Sequence, residues 1–173
     1  MPQAPAKWCG IWRKQKLDNK LLRFTCSAID ENGCFRLEHT GYGQDISPAF
    51  VIKNLSPDAK TLAITLEDLS HPIKGFPHWV IWNLPATHQI REGIPAGAHV
   101  ATLQSARQGL AYGWHRYAGP KPPKGANHLY RFTLYALDSE LDLPANVFKK
   151  RFLKAAAGHI LQQGEITGEY QAN

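Results

Sequence analysis

Three histidines stand where a loop hands over to an apolar run: His71, His78 and His128. His78 opens Trp79-Val80-Ile81-Trp82-Asn83-Leu84, and His128 lies two residues before the run Tyr130 to Leu137. If these runs are neighbouring strands, both imidazoles converge on one end of a sheet. Asp68 ends the run Leu62 to Leu66, directly after Glu67, and would bring a carboxylate to the same end. Two imidazoles and a carboxylate are raw material for anion binding, metal binding or general acid/base chemistry. A single histidine at a strand end more often completes a structural hydrogen bond, so the chemistry depends on convergence.

Spacing excludes several familiar sites. His71 and His78 are separated by Pro72 and Pro77, which fits neither an H-E-x-x-H helix nor a zinc-finger pair. Ser47, Ser56, Ser70, Ser105 and Ser139 all lack the G-x-S-x-G surroundings of a nucleophile elbow. Gly41-Tyr42-Gly43 lacks the helix start that a phosphate loop requires. Cys9, Cys26 and Cys34 form no C-x-x-C pair and are odd in number, so they read as reduced thiols, with Cys26 as a small core residue.

The elements that must position these residues are short. The 173 residues are 43% hydrophobic, enough for one core, and only 20% charged. With 14 Gly and 12 Pro, turns are frequent and a long helical bundle or coiled coil is not expected. Strands are expected at Leu62 to Leu66 and Trp79 to Leu84, both buried on two faces. A third, Tyr130 to Leu137, should turn Tyr130, Phe132, Leu134 and Ala136 to one apolar face. Leu21 to Cys26 and the segment around Phe35-Arg36-Leu37 flank the turn pair Asn32-Gly33, and Phe50-Val51-Ile52 follows a break at Ser47-Pro48. One amphipathic helix is predicted, from Val147 to about Gln163, with Asn146 as N-cap and Lys149, Lys150 and Lys154 facing solvent. The breaker-rich stretch between Pro85 and His128 should form loops that build a site.

No apolar run reaches the roughly 18 residues of a membrane span, and no secretory leader pattern opens the chain, so a cytoplasmic protein is expected. The net charge of +6 is concentrated in residues 1 to 20 and around Lys149, Lys150, Arg151 and Lys154. Such clusters could meet nucleic acid or an acidic membrane surface; no nucleic-acid motif accompanies them, and no nucleic acid is expected as partner. Residues 1–20 read as a basic extension ahead of a single domain over 21–173.

The order of segments resembles the phosphatidylethanolamine-binding protein family, most closely its bacterial Raf-kinase-inhibitor-like branch of the YbhB/YbcL kind. The resemblance spans about Leu22 to Tyr170. Asp45-Ile46-Ser47-Pro48-Ala49-Phe50 is similar to the family's D-I-S-P-P-L, and Asp68-Leu69-Ser70-His71-Pro72 stands where it writes D-P-D-A-P. Gly75-Phe76-Pro77-His78-Trp79-Val80-Ile81-Trp82-Asn83-Leu84-Pro85 matches W-x-H-W-V-V-x-N-L-P. Gly119 to Tyr130 follows G-x-x-P-P-x-G-x-x-H-R-Y, and Gly158-His159-Ile160-Leu161 matches a helical piece. Two positions depart: Ser70 replaces the second acid and Leu129 replaces the Arg.

The resemblance implies a mainly β, Greek-key-like β-sandwich with peripheral helices, including one C-terminal amphipathic helix, and a small anion pocket at one end of the sheets. By motif position Asp68, His78, His128 and Tyr130 would line it, with walls from Pro72, Gly119, Pro122 and Pro123; Lys121 and His71 would make the mouth more cationic. Two imidazoles and a tyrosine hydroxyl supply donors for an anion, and Asp68 can hold the second nitrogen of an imidazole. The leading expectation is a non-catalytic binding protein for a phosphate- or carboxylate-type group. The ligand would be a phospholipid head group or a phosphorylated partner protein, and the resemblance also implies kinase- or protease-inhibitor-like regulation as a role. No cofactor is expected, and the resemblance to the bacterial branch leaves a homodimer open without fixing the oligomeric state. The alternatives are a hydrolase using Asp68, His78 and His128 as acid/base residues and a metal-binding protein using the same three.

Overall fold

The computed structural model describes residues 20–173. Cys9 and all of the expected N-terminal extension except Lys20 lie outside the described residues. The elements are β1 (Phe24–Cys26), β2 (Phe50–Ile52), β3 (Thr61–Asp68), β4 (Phe76–Pro85), β5 (Gln89–Ile90), β6 (Arg107–Gln108), β7 (Asn127–Leu137), helix α1 (Lys149–Ala156) and β8 (Ile160–Gln171). Single 3-10 turns lie at Leu37–His39 and Ala101–Leu103. The fold is mainly β, with two antiparallel sheets: β1-β2-β5, and β6-β4-β3-β7-β8.

Strand alternation explains the layering. On β3, Leu62, Ile64 and Leu66 point toward the small sheet and join Trp79, Ile81, Phe132, Leu134, Phe50 and Ile52 in the main core. Tyr130, Phe132, Leu134 and Ala136 share that core, as the alternation of β7 requires. Ala63, Val80, Trp82, Tyr135 and Leu137 face the other way and pack under Val147, Phe152 and Ala156. β3 and most of β4 are therefore buried on both faces, which accounts for their nearly unbroken apolar runs. Cys26 is buried, its thiol pushed up to about 12 by burial, while Cys34 is free and exposed.

The helix is shorter than its periodicity predicts. Its N-cap is Phe148, not Asn146, and it ends at Ala156. Gly158 takes φ +92°, a left-handed conformation that stops a helix, and β8 begins at Ile160. Residues 160–163 satisfy their backbone better along the open edge of β7 than in one more helical turn, and β8 pairs with β7 over its whole length. The Phe35 to Leu37 segment is likewise no strand. It makes an isolated bridge from Phe35 to Ile29 and leads into the 3-10 turn, while Asp30 Oδ1 accepts the amides of Asn32 and Cys34 at 2.9 Å each. The outer edge of β8 is tied at two places, by Lys20 and Leu22 at Gln163 and by Gly33 and Phe35 at Glu169.

Lys149 departs from the expected solvent-facing role. Its ammonium bonds the buried carboxylate of Glu67, which also takes Arg131, and donates to the Gly75 carbonyl at 3.2 Å. Burial raises the Glu67 carboxyl, but the hydrogen bonds from Lys149 and Arg131 outweigh it, and its pKa lies below the usual carboxylate value. A depressed carboxylate stabilises the fold above its unfolded pKa of about 4.3 and loses that contribution as pH falls through its folded value. Glu67→Gln should therefore lower stability by about 2 kcal/mol at neutral pH and flatten the acid limb of the stability curve, measured by denaturant unfolding at several pH values.

Candidate functional site

The site forms where β3, β4 and β7 end together. In the register Asp68 lies opposite Tyr130 on β7 and Phe76 on β4, so the end of β3 is flanked on both sides. His128 sits two residues before Tyr130 and keeps its face. On β4 the pairing shifts: Leu66 faces Trp79 but Glu67 faces Pro77, which leaves His78 as the extra residue of a bulge. A bulge re-aims a side chain, and here it brings His78 over Tyr130, with ring centroids 5.3 Å apart.

A cleft of about 660 Å³ opens at this end, lined by Asp68, Ser70, His71, Pro72, His78, Lys121, Pro122, Pro123, His128 and Tyr130 together with Tyr42 and Tyr112. Of the residues picked from sequence, only Gly119 is not on its surface; it is buried just behind the wall. Among the described residues, no group of three His, Cys, Asp or Glu has an arrangement that would hold a metal ion. Asp68 is committed elsewhere: Oδ2 accepts His128 Nδ1–H at 2.7 Å and Oδ1 accepts the Ser70 amide at 2.8 Å.

Hydrogen bonding sets which nitrogen each imidazole offers. His78 Nδ1–H donates to the Ala118 carbonyl at 2.9 Å, and His128 Nδ1–H donates to Asp68, so Nε2 is the nitrogen each has left for the cleft. Neutral, both present a lone pair; protonated, both present a donor. Burial holds the His78 pKa below the usual imidazole value, against the opposing pull of the Ala118 carbonyl and the Asp68 charge. His71 differs. Its Nδ1 accepts the Ile73 amide at 3.0 Å, which puts the proton on Nε2, and its ring stacks on Phe76 at 4.2 Å. The hydroxyl of Tyr130 is buried with no partner in full hydrogen-bond geometry, although Asp68 and the Lys121 backbone lie close enough to act on it; burial, then Asp68, raises its pKa far above that of free tyrosine. A buried, protonated hydroxyl that lacks a well-formed hydrogen bond is a polar group that a ligand can satisfy.

The walls are braced from behind. Asp45, at φ 57°, accepts the Gly119 amide at 2.6 Å and the Arg116 guanidinium at 2.7 Å. Ser47 accepts the Ile94 amide at 2.8 Å, and Tyr117 donates to the His39 carbonyl at 2.6 Å. On the far wall Tyr42 donates to the Pro122 carbonyl at 2.7 Å, and the Lys121 ammonium lies 5.8 Å from the Tyr42 ring centroid. Ser70 keeps a link where the sequence departs from the expected pair, since its hydroxyl accepts the Leu129 amide at 2.9 Å.

The sequence matches the family described as phosphatidylethanolamine-binding protein over residues 15–171. The chain belongs to this family. Similar proteins include a UPF0098 protein of Pyrococcus horikoshii, 36% identical over 156 residues that make up 89% of this chain and 79% of the relative. Another is a UPF0098 protein of Chlamydia muridarum, 33% identical over 155 residues, 87% of this chain and 99% of the relative. Among solved structures, a putative phosphatidylethanolamine-binding protein homologue from Chlamydia trachomatis superposes with TM-score 0.75 at 29% identity, covering 89% of this chain and 99% of that one. The E. coli protein YbcL, a member of the mammalian PEBP family by its description, superposes with TM-score 0.77 at 24% identity over 88% and 99% of the chains, a likeness of fold alone. No helix among the described residues is long and apolar enough to cross a membrane.

The family motifs thus divide by position: Asp45, Ser47 and Gly119 brace the cleft, and Asp68, His78, His128 and Tyr130 face it. Tyr42 and Tyr112 were not foreseen. The glycines around Tyr42 were a usable signal of close approach, since a Cβ on Gly43 would meet the Leu37 carbonyl oxygen at 2.0 Å. A Cβ on Gly119 would meet the His39 carbonyl oxygen at 2.1 Å. Gly119→Ala should push the wall inward and lower stability by about 1–3 kcal/mol, read from the denaturant midpoint.

Proposed function

We propose that the chain is a binding protein whose cleft takes one small anionic group of the phosphate or carboxylate type, presented by a phospholipid head group or a phosphorylated partner. The observation that carries this reading is the set of groups that line the cleft with the Tyr130 hydroxyl, which has no well-formed hydrogen bond: a donor at His71 Nε2, the Lys121 ammonium, and two imidazole nitrogens that become donors on protonation. The anion's oxygens accept from these donors, and the hydroxyl of a singly protonated phosphomonoester or the ammonium of an ethanolamine head group can donate to a neutral Nε2. The 2.7 Å Asp68–His128 pair has the form of an acid/base dyad, but the cleft offers it little to activate. Ser70 Oγ already accepts the Leu129 amide, and the Tyr130 hydroxyl resists ionisation.

Protonation and anion binding are coupled in this reading. Free His78 takes its proton only below the usual imidazole value of about 6.5, because burial lowers its pKa, and a bound anion raises that pKa again. Across the range the phosphodiester of glycerophosphoethanolamine stays anionic and its ammonium stays protonated, so calorimetric titration with it isolates the protein's protons. Affinity should rise as pH falls from about 8 to about 5, by up to tenfold per pH unit for each proton taken up. His78→Ala should flatten the acidic part of that rise and His128→Ala should weaken binding throughout, while Lys121→Ala should weaken binding with the slope kept. Affinity that is flat with pH, or that appears only with added zinc, sinks the proposal, since a metal would compete with protons for the same nitrogens and give the opposite slope.

A further inference from the structure

The rim beside the cleft breaks three local rules at one place. Helix α1 begins with Phe148 as its N-cap, without a side-chain cap bond, and its first turn holds Lys149, Lys150 and Arg151 with no acid. Cations at this end oppose the partial positive charge of the free amides. Lys149 is accounted for by Glu67; Lys150 and Arg151 are exposed and pair with no carboxylate among the described residues. The second departure is the turn Ala111–Trp114, closed by reciprocal backbone bonds of 3.1 and 2.9 Å, in which Tyr112 sits at φ 55° where Asn or Gly is usual. The third is apolar exposure: Ile73, Tyr112, Trp114 and Phe148 are 63%, 48%, 62% and 57% exposed.

These residues share one surface. Leu110 bridges to Phe148, Tyr112 packs edge-on against Phe76 at 5.2 Å, and Lys149 reaches the Gly75 carbonyl beside Ile73 and Lys74. The contributing segments carry no negative charge, since residues 69–91, 107–137 and 143–164 contain neither Asp nor Glu. Sequence rules broken together at one surface mark function rather than folding. We infer that this rim docks on an anionic lipid bilayer, with Ile73, Trp114 and Phe148 entering the head-group boundary and Lys74, Lys150 and Arg151 meeting lipid phosphates. A cationic surface studded with Trp, Tyr, Phe and Ile, whose adjoining carboxylate Glu67 is buried and neutralised by Lys149 and Arg131, has the composition of interfacial anchors. The inference does not depend on what fills the cleft.

The test is sedimentation of the full chain with phosphatidylcholine vesicles containing roughly one third phosphatidylglycerol, against phosphatidylcholine alone. Binding should need the anionic lipid, and Lys150→Glu with Arg151→Glu, or Ile73→Ser with Trp114→Ser, should each lower it at least about tenfold. The Lys150/Arg151 variant should still bind glycerophosphoethanolamine like the parent, which separates failure of this surface from failure of the cleft. Trp114 emission should shift to the blue on vesicles, and Trp114→Phe should abolish that shift. Equal binding to both vesicles, binding to neither, or anionic binding that both double variants retain would overturn the inference. So would a dimer in vesicle-free solution that Trp114→Ser dissociates, which would assign the surface to a second copy of the chain.

Discussion

Two adjacent carboxylates, Glu67 and Asp68, are buried at the end of the central strand, and each must be compensated where it lies. Strand alternation sends them to opposite faces, so no single group can serve both. On the main-core face Asp68 fixes His128 and the Ser70 amide; on the other Glu67 gathers Arg131 and Lys149. The first arrangement orders the cleft and the second pins α1 to the sheet. The bond from Lys149 to the Gly75 carbonyl joins the two, because Gly75 ends the loop that carries Ser70, His71 and Pro72. The helix is therefore one of the supports of the cleft.

The ring tautomers follow from the same economy of acceptors. A carbonyl at one imidazole, a carboxylate at the second and an amide donor at the third leave three histidines with different offers to one ligand. Only His71 presents N–H without taking a proton. The residue type alone gives no hint of this, since it is decided by partners that lie 40 residues away for His78, 60 for His128 and 2 for His71.

Strand periodicity was legible wherever burial is simple. The two-sided burial of β3 and β4 and the one apolar face of β7 could be read directly, whereas the meeting of Asp68, His78 and His128 at one sheet end followed only if those strands are neighbours, and for His78 it also takes a bulge that no local signal marks. The ordered motifs pointed to the family because Asp45, Ser47 and Gly119 are required by backbone bonds and close approach, not by the ligand. β8 was hidden because Ala155, Ala156 and Ile160 continue the helical spacing, whereas the open edge of β7 that draws the chain into a strand is a long-range fact; Gly158 was the local mark of the change. Glu67 gave no warning that it would hold Lys149, which lies 82 residues along the chain.

The ties along β8 have a consequence for how the molecules behave in a crowd. A 12-residue strand with a bare outer edge would be a template on which another chain's strand could pair and extend a sheet from molecule to molecule. Here the chain itself occupies that edge, with Lys20 and Leu22 at Gln163 and Gly33 and Phe35 at Glu169, six residues apart. Neither contact is a full strand, yet between them only Glu165 and Thr167 turn their backbone groups outward, too few to hold a foreign strand of ordinary length, about five or six residues, in register. The two short ties thus work as stoppers against polymerisation, and the segment around Lys20 to Leu22 protects solubility as well as completing the fold.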